Sequence, residues 1–65
     1  MQEIVNVGKK VHGVEVQYEQ SSQILAEDFT YGELIDLRIN VLDLLDHPDR
    51  YVLDIHNHRV VEKLP

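Results

Sequence analysis

The sequence predicts a small α+β domain: a β-hairpin, one amphipathic helix and a second β-hairpin, the helix packed on one face of a small antiparallel sheet. Three observations carry this expectation. Val14, Val16 and Tyr18 alternate with Glu15, Gln17 and Glu19, the period-2 pattern of a strand with one wet face. Thr30–Asp46 repeats apolar residues at helical spacing between legible ends. Tyr51, Leu53 and Ile55 then alternate with Val52 and Asp54, so a second run of strand follows the helix.

Taken in order, Ile4–Val7 and Val11–Tyr18 are rich in β-branched residues, and Gly8-Lys9-Lys10 between them reads as a turn. Val11 is out of phase with the alternation after it, so a β-bulge at His12-Gly13 is expected to restore the register. Gln20–Gln23 reads as loop. Ile24-Leu25-Ala26 is a short apolar segment, either one helical turn or a plug at the core edge. Thr30 and Glu33 form a capping box, in which the hydroxyl accepts an early backbone N–H and the carboxylate reaches back to the N–H of Thr30. Pro48 ends the helix by pushing His47 out of the α region. After the turn His47–Arg50, strands Tyr51–Ile55 and Arg59–Leu64 meet at His56-Asn57-His58, where Asn57 tolerates the left-handed conformation of a tight hairpin. This alternation of hairpin, helix and hairpin occurs in many small bacterial and phage accessory proteins, a likeness of architecture that carries no function.

The helix is the most informative segment. Tyr31, Leu34, Ile35, Val41, Leu42 and Leu45 fall on one side, while Glu33, Asp36, Asn40 and Asp43 fall opposite. Leu37, Ile39 and Leu44 widen the apolar side beyond what one sheet covers, which predicts a homodimer contact through Leu37, Arg38, Val41 and Leu44. Arg38 lies near the centre of that apolar face at about 100° per residue. Its guanidinium must be paired or escape to water, either as a snorkelling stem or as a salt bridge across the subunit contact. The other reading is that it grips an anionic ligand or a partner carboxylate.

At 65 residues the chain makes one domain, residues 1–65, of a size that often needs a partner for stability. It has no cysteine, which excludes disulfides and thiolate metal sites. No apolar run approaches the roughly 20 residues of a bilayer span or the 7–15 of a signal peptide, so a cytoplasmic protein with no membrane partner is expected. The formal charge of −6 is concentrated in residues 15–49, where nine acids face one base, Arg38. Binding to a phosphate backbone needs clustered Lys and Arg, so direct nucleic-acid binding is not expected, while a basic protein partner fits.

Three functional readings follow. The leading one is a small acidic protein-interaction or regulatory module, homodimeric, that acts by binding a partner protein. The second takes the acidic helix face of Glu33, Asp36 and Asp43, with Glu27, Asp28 and Asp46 nearby, as a mimic of nucleic-acid charge that blocks a basic DNA- or RNA-binding protein. The third is His-based metal binding, because His56 and His58 at i, i+2 on a strand face the same way and Asp54 shares their parity. Zinc needs three or four ligands, and His12 and His47 add to the set only if the fold brings them close, so no metal and no cofactor is assigned. The chain has no G-x-S-x-G, no phosphate-cradling glycine loop and no nucleophile beside a base, and the expectation is a protein that is not an enzyme.

Overall fold

The computed structural model describes residues 1–63. Its strands are β1 (Gln2–Lys9), β2 (Gly13–Gln20), β3 (Gln23–Thr30), β4 (Tyr51–Asp54) and β5 (Arg59–Glu62), with helices α1 (Tyr31–Asp36) and α2 (Val41–Asp46) and a 3-10 turn Pro48–Arg50 between β3 and β4. The strands form one sheet in the order β3-β2-β1-β4-β5, antiparallel at every ladder. It is a small α+β fold, with a third strand in the first sheet unit and two helices where the sequence predicts one.

The sheet curls because β1 serves two neighbours. Gln2 and Glu3 pair with β4, whereas Ile4–Lys9 pair with β2. Between these halves Ile4 faces Tyr18 and Asn6 faces Gln17, so Val5 is the inserted residue of a bulge, and it is exposed. The bulge expected at His12-Gly13 is therefore absent. Register is instead adjusted inside β1, and β2 simply begins at Gly13.

The loop expected at Gln20–Gln23 shortens to its two central residues, and β3 takes the place of the plug at Ile24–Ala26. Gln20 pairs with Gln23, leaving Ser21-Ser22 as a two-residue turn. Both serines have positive φ, 53° and 64°, as a type I′ hairpin turn requires. From there β3 pairs with β2 along its whole length, to Thr30 opposite Gly13.

The helix expected over Thr30–Asp46 is two. The capping box at Thr30 and Glu33 is present in both directions, at 3.1 and 2.9 Å. Six residues on, the chain leaves the helix through Arg38 at φ 61°. Arg38 N–H bonds to the carbonyl of Ile35 and Ile39 N–H to that of Leu34, the paired bonds of a Schellman motif. Asn40 then caps α2, its side-chain oxygen accepting from Asp43 N–H at 3.1 Å. The β4–β5 turn differs too: His58, not Asn57, takes the left-handed position, at φ 51°. The last strand, expected over Arg59–Leu64, runs from Arg59 to Glu62, and Leu64 lies outside the described residues.

The core is the inner face of the curl: Ile4, Val7, Val14, Val16, Tyr18, Phe29, Tyr51, Leu53 and Val60 from the sheet, closed by Leu34 and Leu44. Leu34, Leu44 and Leu53 are fully buried. Among the described residues no helix is long and apolar enough to cross a membrane.

Candidate interaction surface

The residues that sequence reasoning assigned to a dimer contact are scattered by the helix break. Leu44 is fully buried in the chain's own core, and Leu37 and Val41 are half-buried against that core. Arg38 is exposed at the break and not central to an apolar face. Its role here is conformational, as the left-handed residue that turns the chain between α1 and α2. The apolar residues that remain exposed on the helices are Ile35 and Leu42, at 68% and 73%.

The acidic face is divided as well. Glu33 caps Thr30 and lies 3.4 Å from His58, and the Thr30 N–H bond, then His58, hold its carboxyl below the usual glutamate range. Asp43 accepts from the Tyr51 hydroxyl at 2.7 Å and from Arg50 at 3.0 Å. Burial, then the bond to Asp43, push the Tyr51 phenol up to about 12. Only Asp36 of the three has no ion pair among the described residues. Two of the three carboxylates are thus engaged internally, and the break separates Glu33 from Asp43, so no continuous row of charge results.

The histidines do not converge on a metal. Asp54 bonds to the backbone and side chain of Asn57, at 3.3 and 2.9 Å, which lowers its carboxyl from the usual aspartate range. The two ring nitrogens of His58 face different carboxylates, Nδ1 to Glu27 at 2.9 Å and Nε2 to Glu33 at 3.4 Å. Its ring stacks on Phe29 with centroids 4.1 Å apart and planes 14° from parallel. The tip of the β4–β5 hairpin is thereby fastened over the end of β3 and the start of α1. Among the described residues no group of three or more His, Cys, Asp or Glu is placed to hold a metal ion.

Sequence reasoning missed the edge of the sheet. Among the described residues β3 pairs only with β2, and its Gln23–Ala26 half is exposed throughout, with Ile24 at 56% and Leu25 at 37%. The turn that opens β3, Ser21-Ser22, carries neither the Asn nor the Gly that marks a two-residue type I′ hairpin in a sequence. Beside the other end of β3, a cavity of about 450 Å³ opens between Lys10, Val11, His12, Gly13, Asp28 and Phe29. Lys10 closes one side of it, bonded to Asp28 at 3.1 Å and to Glu15 at 3.4 Å.

The chain matches no protein-family model, no curated protein and no solved structure.

Proposed function

We propose that this chain is a small acidic interaction module that self-associates and acts by binding a partner protein. The observation that carries the reading is its surplus of surface aliphatics. Among the described residues seven large hydrophobic side chains are exposed, against eleven that form the core. A domain this small has few apolar residues to spare, and leaving that share in water is the mark of surface meant to be covered. The net charge of −6 keeps such a surface soluble and favours a basic partner through long-range steering. The helical pair offers Ile35 and Leu42 for that contact, beside Asp36 and Asp46.

The test is affinity capture from a lysate of the source organism, with the parent chain and with the exposed-face variant Ile35→Glu/Leu42→Glu, each shown to be folded by circular dichroism. A protein retained at high salt by the parent and lost by the variant supports the reading. Identical capture by both overturns the assignment to the helices. Capture that vanishes at high salt for both points instead to charge mimicry, because exposed charges are screened within about 8–10 Å at physiological ionic strength.

A further inference from the structure

We infer that the β3 edge pairs with β3 of a second copy, antiparallel and centred on Leu25. This rests on the self-association part of the reading above and names its surface. The direction of the main-chain groups follows from the hairpin. Across a two-residue turn Gln20 and Gln23 are a hydrogen-bonded pair, and bonding then alternates along the ladder. The alternation runs on to Tyr31, whose N–H bonds to the carbonyl of His12 at 2.9 Å. Leu25 and Glu27 therefore direct their N–H and C=O groups to β2, and Ile24, Ala26 and Asp28 direct theirs away from it. The Gln23–Ala26 half of the free edge carries no charge, and Gln23–Thr30 contains no Lys, no Pro and no bulge; its two acids, Glu27 and Asp28, lie toward the α1 end.

The occupant is fixed by charge and register. Both acids of β3 are engaged within the chain, Asp28 in an ion pair with Lys10 and Glu27 in a hydrogen-bond contact with the His58 ring. What the edge presents is therefore the apolar Ile24-Leu25-Ala26 and not a free negative row, so a basic strand has little to recognise. Two copies of this edge fit each other. With Leu25 opposite the second copy's Leu25, Ile24 and the second copy's Ala26 exchange both main-chain bonds, as do Ala26 and the second copy's Ile24. Glu27 then falls opposite the second copy's Gln23, and no carboxylate faces another. Registers centred on Glu27 or Asp28 would set like charges directly opposite, which destabilises a strand pair. The two-fold contact meets at the apolar centre, with the acids outside it.

The proposal is tested by sedimentation of the whole chain at tens to hundreds of micromolar, together with oxidative cross-linking. The parent is expected to be a dimer. Ile24→Lys changes only an exposed side chain, and Ala26→Pro removes an N–H that β2 does not use; each is expected to weaken the dimer by roughly tenfold to hundredfold. Leu42→Lys is expected to leave it intact. The chain has no cysteine, so Leu25→Cys gives a single thiol on the two-fold axis. A non-hydrogen-bonded pair has Cα atoms about 4.5 Å apart, within the disulfide range. Leu25→Cys should therefore cross-link readily under mild oxidation, and Leu42→Cys should not. A dimer undisturbed by Ile24→Lys and Ala26→Pro overturns the edge and leaves self-association standing. A parent that stays monomeric overturns both.

Discussion

Gly13 and Gly8 sit on neighbouring strands, and their substitution by alanine should have opposite effects. A Cβ on Gly13 would lie 1.8 Å from the Phe29 carbonyl oxygen and 2.8 Å from both the Phe29 carbonyl carbon and the Thr30 Cα. All three are backbone atoms, so no side chain can swing aside. β2 and β3 must separate at the end where β3 passes into α1. That movement strains the Tyr31 N–H bond to His12 and disturbs the base of the capping box. Overpacking of this kind costs about 1–3 kcal/mol, and a lost main-chain bond about 1 more. The total of roughly 2–4 kcal/mol is a large share of the roughly 3–10 kcal/mol expected for a domain of this length. Gly13→Ala should therefore lower the melting temperature by roughly 10–30 °C, at about 4–8 °C per kcal/mol. Gly8 has nothing within 4 Å of the corresponding position. Gly8→Ala should leave stability unchanged or raise it by up to about 1 kcal/mol, because the unfolded chain loses freedom. Thermal and urea unfolding followed by far-UV circular dichroism measure both. Melting temperatures for the two variants within a degree or two of each other would refute the close-approach argument.

Four further outcomes are expected. Arg38→Gly should stabilise the chain by about 1 kcal/mol in urea unfolding, since glycine adopts the left-handed position at the end of α1 without a Cβ clash; a loss of stability would mean that the arginine side chain holds a contact worth more than the strain. Ser21→Asn/Ser22→Gly, the pair favoured in a type I′ turn, should raise the melting temperature, and a fall would contradict the turn type. Tyr51→Phe should cost about 1–3 kcal/mol by removing the bond to Asp43. The raised phenol also sets a pH window: its stabilisation is complete below about pH 10 and is lost as pH rises toward the folded value of about 12, so the alkaline decline in stability should be shallower in Tyr51→Phe. Stoichiometric zinc at neutral pH should leave the melting temperature unchanged, whereas a rise of several degrees that disappears in His56→Ala/His58→Ala would establish a metal site.

What was legible in the sequence was whatever a single strong pattern carried. The alternation at Val14–Glu19 and at Tyr51–Asp54 marked β2 and β4, and the Thr30/Glu33 box marked the start of α1 to the residue. β3 was not legible because an edge strand needs no alternation: of Gln23–Thr30, only Phe29 is buried and only Glu27 is half-buried. The left-handed residues were hidden for a similar reason. Serine, arginine and histidine stand where glycine or asparagine would have announced a turn. Gly13 was visible as an anomaly, but its cause lies across the ladder at Phe29, a contact that exists only once β3 is known. The proposed self-association surface lay out of reach for the same reason, since an unrecognised strand cannot offer an edge.

The width of the apolar face on Thr30–Asp46 had two physical solutions, and the sequence held the clue that separates them. A straight helix presents one stripe to a sheet, so Leu37, Ile39 and Leu44 demand either a second chain or a change of direction. The chain changes direction. The Schellman bonds at Arg38 and Ile39 stop α1, Asn40 opens α2, and the turn between them lets Leu34 and Leu44 enter one core from two helices. Asn40 was the readable signal: asparagine is a weak helix former but a strong N-cap, and Asp43 three residues on supplies both the N–H it accepts and an acid in the first turn. The same change of direction places Asp43 against Tyr51 and Arg50, which ties α2 to the start of β4. An amphipathic segment too apolar for one straight helix is thus evidence for a bend as much as for a partner. Where the bend accounts for the leucines, as at Leu44, any self-association must be sought on surface the bend leaves uncovered, and the β3 edge is such a surface.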